Sequence, residues 1–536
     1  MTAQPLQIKN AVERFDFPQA ELIIGVVCAV GTDYGPIRDA ITDILSKFNY
    51  HTTVVRISDL ISRFSQDKLS EETETLRISS RMTAGNNECR NKKRKDLWAL
   101  AAISEINATR ERMASGPHAL TQTAHLVLTL KRPEEVATLR KVYGDGFLLV
   151  GVFSTEQERL EYLIEKNAPK SDALDLIKRD AEEANDDYGQ YTTDTFHLAD
   201  VFVQTRRMKY KEELQRFFDL VFSDPYKTPT KHEHGMFLAY AASLRSGQLG
   251  RQVGAAITSD DGEVLSVGCN DVPKPGGGLY WPGTSDNRDH VWGEDTNDKQ
   301  RDKIISQLIS KIENQEKQRK LLVTNIVKEI LGQVEKTEEK IAELSAAIER
   351  FNATNIEALR PDFKSALDIT EYGRAVHAEM DALLTCARSG ISPRQATLYT
   401  TTFPCHNCTR HIIAAGIKRV YYIEPYGKSR AEELHEDAII VEEKIFGKRR
   451  QGLKRVPFTH FVGIGPRRYF DLFSLSLSRG HELIRKKSGR TLRIEPSSTW
   501  IRLPLSPYNY LEKEQIAVEM LDELYSQQLD IFKASK

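Results

Sequence analysis

The stretch ATLYTTTFPCHNCTRHIIAAGIKRVYYIE, Ala396 to Glu424, decides how the surrounding chain folds. ATLYTT and RVYYIE have the β-branched and aromatic composition of strands, and a helix follows Cys408 between them. This is one step of an α/β alternation. The helix opens on P-C-x-x-C. Cys405 and Cys408 are three positions apart, so both sulfurs face one side of a first helical turn, where the helix N-terminus favours their thiolates.

Upstream, AVHAEMDALL (Ala375 to Leu384) places His377 and Glu379 at the start of another helix. A catalytic zinc takes three nitrogen or sulfur ligands and leaves its fourth tetrahedral position for water. His377, Cys405 and Cys408 supply that set. Glu379 can sit beside the water without binding the metal. Zinc lowers the pKa of such a water to roughly 7, and a neighbouring glutamate relays the proton to a ring nitrogen and a departing amine. H-x-E followed by P-C-x-x-C, with a strand between, is the residue pattern of hydrolytic deamination.

Working outward, 536 residues exceed one hydrophobic core and predict two or three domains. Hydrophobic content of 40% is ordinary, and no apolar run is long enough to span a bilayer. The start, MTAQPLQIKNAVERFDF, has no apolar signal core, and six cysteines make no disulfide framework, so a soluble, cytoplasmic protein is expected. With 75 basic against 76 acidic residues there is no broad electrostatic track for nucleic acid. The basic runs at Lys92–Lys95, Lys448–Arg450 and Arg485–Lys487 are read as solvated surface.

Three regions follow. Across 1–205, LIIGVVCAV, HTTVVRIS, HLVLTL, FLLVGVF and DVFV predict five buried strands of a parallel α/β domain. Across 224–456 a second α/β unit carries the zinc motif, interrupted at about 298–351 by a polar helical insertion. Within it Val323, Val327, Ile330, Val334, Ile341, Leu344, Ile348 and Phe351 follow heptad spacing, which suits a coiled-coil hairpin, an intersubunit helix or an amphipathic helix packed on its own domain. Residues 457–536 are expected to form an ordered extension packed on the second unit.

GVVCAVGTDYGPI, Gly25 to Ile37, lies where a phosphate-cradling loop sits in kinases. Gly25 and Gly31 frame a similar bend, but Thr32 and Asp33 occupy the Lys-Ser/Thr positions, and Asp33 would repel phosphate. No phosphoryl transfer is expected. The loop remains open to nucleotide or other ligand binding through its amides, or to a purely scaffolding role.

From Lys231 to Val441 the chain resembles the cytidine and deoxycytidylate deaminase superfamily, on HAE, PCHNC, SGQLGRQVGAAI and Asn270. With the kinase-like N-terminal region, the helical insertion and the GPRRY tail, it is similar to bacterial anti-phage deoxycytidine nucleotide deaminases. That resemblance implies a P-loop kinase-like sheet joined to a three-layer α/β/α deaminase domain, zinc as cofactor, and Glu379 as catalytic residue. It also implies deamination of dCTP and dCMP to dUTP and dUMP, depleting the pool that phage replication needs. Asn270 would then hydrogen-bond the sugar. A triphosphate would need forked cations near the zinc site, for which Arg251, Lys428, Arg467 and Arg468 are the candidates, the paired arginines meeting substrate, an effector or a neighbouring subunit; Tyr426 is a further substrate-contact candidate. A nucleotide effector at Gly25, Gly31, Thr32 and Asp33, an inhibitory RNA or protein, and a homo-oligomer complete the expected partners. Many deoxycytidylate deaminases carry Asn where this chain has Asp381. A polynucleotide deaminase, a nucleic-acid-binding regulator, or a deaminase of a pterin or riboflavin precursor remain alternatives.

Overall fold

Apolar runs with no polar alternation are what strands covered on both faces require, and the computed structural model forms its first sheet from such runs. It describes residues 19–114, 119–183, 186–205, 209–283, 285–331, 372–426, 429–441, 455–476, 483–492, 499, 501–505 and 507–534. In the first sheet β1 (Leu22–Cys28) is central, with β3 (Thr123–Leu130) and β2 (His51–Arg56) on one side and β4 (Phe147–Phe153) and β5 (Val201–Gln204) on the other. All five are parallel, as the sequence predicts.

The helices of this half are α1 (Gly35–Lys47), α2 (Ile57–Phe64), α3 (Glu74–Asn91), α4 (Leu97–Ala114), α5 (Pro133–Tyr143), α6 (Glu156–Glu165), α7 (Lys170–Glu182), α8 (Thr192–Phe196) and α9 (Tyr210–Val221). Local chemistry sets their starts. Proline occupies the first turn of α1, and Thr155 and Glu158 cap α6 reciprocally.

The second sheet has the order β10-β11-β9-β8-β6-β7. Its strands are β6 (Gly254–Thr258), β7 (Val264–Cys269), β8 (Thr397–Thr402), β9 (Arg419–Glu424), β10 (Ile439–Val441) and β11 (Val456–His460). β6 runs antiparallel to β7 and β8, while β8, β9, β11 and β10 are mutually parallel. Helix α10 (Lys231–Ser243) lies close on the β6–β7 hairpin: a Cβ on Gly254 would stand 1.9 Å from the Ala239 carbonyl oxygen. α12 (Ala378–Arg388) also packs close elsewhere on the hairpin, where a Cβ on Gly268 would stand 2.4 Å from the Ala382 nitrogen. α13 (His406–Ala414) carries the chain from β8 to β9. The insertion contributes α11, one helix from Thr296 to Leu331. The heptad positions from Val334 to Phe351 lie outside the described residues.

The C-terminal extension departs from expectation. β11 completes the second sheet beyond the boundary set at 456, and then β12 (Gly463–Ile464) pairs antiparallel with β5 of the first sheet. Arg468 follows, buried, its Nε 3.0 Å from Asp200 Oδ1 and its Nη2 2.9 Å from the Phe147 carbonyl. The last helix, α14 (Pro507–Ala534), packs on α4. The extension therefore joins the first sheet rather than resting on the second alone. One apolar cluster runs through both, uniting Leu22, Phe202 and Phe461 with Met236, Tyr399 and Tyr421.

α14 is anchored by charge. The Arg110 guanidinium, with no exposed side-chain surface, binds Glu21 at 3.1 Å and also Glu514, while the Tyr510 hydroxyl donates to Glu21. Removing one member leaves a desolvated carboxylate without its counter-ion. Arg110→Ala is expected to cost about 3–5 kcal/mol in urea denaturation. Arg63→Ala, which breaks the exposed ion pair with Glu105, should cost less than about 1 kcal/mol.

Candidate metal centre and active site

Two helix starts converge at the carboxyl end of β8. His377 is the N-cap of α12, in extended backbone geometry, and Val376 is tied to Asp271 by an isolated bridge just before it. Cys405 is the N-cap of α13, and Cys408 lies in that helix's first turn. The close packing of Ala378 and Ala382 against Gly268 sets α12 at the depth that brings His377 to the sulfurs. His377 Nδ1 stands 3.4 Å from Cys405 Sγ and 3.3 Å from Cys408 Sγ.

The donor set fits zinc. All three ligand atoms lie within 4.8 Å of one another, and tetrahedral bonds of about 2.3 Å to sulfur and about 2.0 Å to nitrogen would separate S and N by roughly 3.5 Å. Without a cation the same atoms share protons. The Cys408 thiol stabilises the Cys405 thiolate, and His377 adds to the effect, holding Cys405 down to about 4. The same pairing pushes Cys408 up, and the hydrogen bond to Cys405 raises His377.

Glu379 is 4% exposed, and burial raises its carboxyl above the ordinary range. Its Oε1 accepts from the Thr400 hydroxyl and its Oε2 from Cys408, each at 3.3 Å. The carboxyl is thereby held in the metal centre.

The other candidate residues divide. Asn270 uses both ends of its amide on the preceding loop, donating to the Arg251 carbonyl at 2.8 Å and accepting from Val253 N at 2.7 Å. Arg251 pairs with Glu424 at 2.7 Å, and Glu424 accepts from Thr402 at 3.3 Å. Arg251, Glu424 and Thr401 face a cleft of about 460 Å³ that Arg467, Tyr240 and His197 also line. The loop carrying Tyr426 is tied to the cysteine loop through Ser429, whose hydroxyl donates to the Pro404 carbonyl at 2.8 Å. Lys428 lies outside the described residues. Arg468 is corrected from substrate contact to structural staple, because its guanidinium is spent on Asp200, Phe147 and Asp471.

Asp381 accepts from Cys269 N at 3.3 Å, so the residue that replaces the expected asparagine supports β7. Gly25 is also corrected. It lies inside β1, where a Cβ would meet Leu130 at 2.7 Å and Phe147 at 2.8 Å, so packing rather than phosphate approach requires glycine. Gly31, at φ +82°, turns the loop beyond β1; Thr32 is buried there, and Asp33 accepts from Gly35 N at 3.2 Å.

Thr400 and Thr402 escaped the sequence reading, although strand periodicity puts them on one face of β8. His197 left no local signal, since it reaches the cleft from the C-cap of α8, in the half of the chain built on the first sheet.

Residues 229–424 match the family model described as the cytidine and deoxycytidylate deaminase zinc-binding region. Over 73 residues the chain is 44% identical to ComE operon protein 2 of Bacillus subtilis (strain 168), covering 13% of this chain and 39% of that protein. Over 80 residues it is 36% identical to the deoxycytidylate deaminase of Enterobacteria phage T4, covering 15% and 42%. The solved dCMP deaminase of cyanophage S-TIM5 aligns at 15% identity with a TM-score of 0.21, over 44% of this chain and 100% of that one. Residues 229–424 thus carry a deaminase-type zinc-binding region, while the chain spans about two fifths of those curated relatives' length.

Purified protein should hold about one zinc per chain by elemental analysis, and Cys408→Ser should lose it. Binding must displace protons held on Cys408 and His377, whose pKa values are both raised, so affinity should climb from about pH 6 to about pH 8. Competition with a chromophoric chelator measures this; a flat profile would contradict the ligand set.

Proposed function

We propose that this chain is a zinc-dependent hydrolytic deaminase of deoxycytidine nucleotides, converting dCMP and dCTP to dUMP and dUTP. The observation that carries the reading is the buried carboxyl of Glu379, bonded by the Thr400 hydroxyl and 3.3 Å from Cys408 Sγ, beside a three-ligand centre that it need not join. When bound, zinc would activate water for attack on the cytosine ring. Glu379 moves the protons: it takes one from the attacking water, gives it to the ring nitrogen, and serves the amine that leaves as ammonia. Thr400 keeps its carboxyl aimed. Burial, which raises Glu379, suits a group that must hold a proton part-way through the reaction.

The cleft next to Glu424 supports a nucleotide over a free base. Arg251 and Arg467 are exposed on its wall, and Arg467 lies over the Tyr240 ring, 5.9 Å from its centroid. Phosphates would draw Arg251 from Glu424 and recruit Arg467, since guanidinium forks bind phosphate through paired hydrogen bonds. The deoxycytidine class is drawn from the deoxycytidylate deaminase relatives, and the triphosphate from the size of this cleft and its two exposed guanidiniums, which stand among the carboxylates of Glu424 and Asp194. Phage defence by depletion of the dCTP pool, and control of residues 224–456 by the 1–205 unit, belong to the same proposal.

Glu379→Gln should keep zinc and fold yet lower turnover by about 10²–10⁴-fold. Products from cytosine and adenine nucleotides and from single strands are to be identified by mass spectrometry. Deamination of strands but not of free nucleotides would replace this reading with the polynucleotide one. Arg467→Ala should raise KM for dCTP about tenfold and leave deoxycytidine nearly unchanged, because a charged hydrogen bond contributes roughly 1.5–3 kcal/mol. Equal effects on both substrates would remove Arg467 from phosphate recognition.

A further inference from the structure

A second cavity, of about 180 Å³, opens at the carboxyl ends of β1, β2 and β3 and is lined wholly by the first half of the chain. The connection from β1 runs toward β2, and that from β3 crosses back to β4, so the loops diverge above the β1–β3 pair. Open α/β sheets bind ligands in such a crevice. Its walls are largely apolar, with Tyr34, Ile57, Ile61, Met82, Trp98 and Tyr162 among them.

The charges around it are already closed. Asp180 on α7, 7% exposed, accepts from Val30 N at 2.9 Å. Its carboxylate also lies 3.5 Å from Lys131 Nζ, 3.7 Å from Arg159 Nη1 and 3.4 Å from the Thr192 hydroxyl. A backbone amide and two cations beyond the end of β1 are what a phosphate would seek, and a carboxylate of the protein occupies them. The remaining cations on the walls are paired as well: Arg77 with Glu74, Arg81 with Glu71, and Arg132 with Glu135. A polyphosphate would add charge beside Asp180 or have to expel it.

Arg159 Nε, outside the lining, is buried without a hydrogen-bond partner, but the open polar atoms of the lining residues are neutral. Thr32 Oγ1 and Gln190 Oε1 line the cavity without a hydrogen-bond partner, on residues 4% and 7% exposed. Buried polar atoms of this kind are costly unless a ligand or water satisfies them. The volume is below the roughly 300–1,000 Å³ of pockets for drug-sized ligands, which suits a single ring system. We propose that this crevice binds an uncharged, flat nitrogen heterocycle, a nucleobase or nucleoside in class, and rejects nucleoside triphosphates. A ring N–H would donate to Gln190 Oε1, the Thr32 hydroxyl would meet a second ring heteroatom, and the aromatic walls would cover the faces.

The test uses the intact chain. Adenine, guanine, adenosine and guanosine are titrated by calorimetry and thermal shift beside ATP and GTP with magnesium, which avoids cytosine ligands of the metal centre. At least one uncharged probe should bind saturably, and at least tenfold more tightly than its triphosphate. Met82→Trp, which fills the cavity, should abolish binding; Gln190→Leu should weaken it with the fold retained. Asp180→Asn should raise affinity for ATP and pyrophosphate at least tenfold by freeing the Val30 amide, Lys131 and Arg159. Wild-type affinity for ATP equal to that for adenosine overturns the proposal, and so does the absence of binding by every uncharged probe. Deamination of dCMP is read separately in the same preparations, so a silent metal centre would leave this result standing.

Discussion

A buried carboxylate, Asp200 at the start of β5, ties the two sheets into one body. It accepts from Leu149 N at 2.8 Å and from Arg468 Nε at 3.0 Å, and its own carbonyl accepts from Gly465 N at 2.8 Å. Arg140 reaches the same carboxylate at 3.2 Å. An ion this deeply buried is tolerated only with its partners in place. The turn that leaves the second sheet is therefore fixed against β4 and β5, and β12 can pair with β5 only in one register. His460 extends the joint by stacking on Phe153 at 4.5 Å between ring centroids.

That joint shapes the cleft at Glu424. Arg467 and Arg468 are neighbours with opposite fates: the second is consumed by Asp200, and the first is left exposed over Tyr240. Locking one guanidinium sets where its neighbour stands. His197 arrives from the C-cap of α8, three residues before Asp200, so the same anchor positions a residue of the first half on the cleft wall. His197 Nδ1 is buried without a hydrogen-bond partner, and burial lowers the pKa of its ring. Asp194, His197 and Ala199, on α8 and the loop before β5, are thus part of the cleft wall, and the two sheets share one apolar core.

The metal centre was legible because its chemistry is local: spacing within two helix starts places His377, Cys405 and Cys408, and few other arrangements use that residue set. The five parallel strands were legible because burial on both faces leaves an unbroken apolar run. What sequence could not carry was pairing at a distance. Arg468 looked like a phosphate ligand because its partner, Asp200, lies 268 positions away. Gly25 looked like part of a phosphate loop because glycine serves close packing and loop turns alike, and only the Leu130 and Phe147 side chains distinguish them. The short strands β10 and β12 have too few residues to show periodicity, and they exist because longer neighbours pair with them.

The two cavities differ in how they use charge. Around the first-sheet crevice the wall cations are matched by carboxylates of the protein, down to Asp180 on the Val30 amide, which leaves Thr32 and Gln190 as the described lining residues with buried polar atoms wanting partners. A site so neutralised has little to offer an anion and much to offer a ring. In the cleft at Glu424 the balance is looser: Arg251 is held by one exposed pair with Glu424, and Arg467 has an aromatic face where a carboxylate would be its stronger partner. An incoming phosphate competes there against a surface ion pair, which contributes little, rather than against a buried one. A phosphate would therefore meet less competition from the protein's own carboxylates at Arg251 and Arg467 than at the first-sheet crevice.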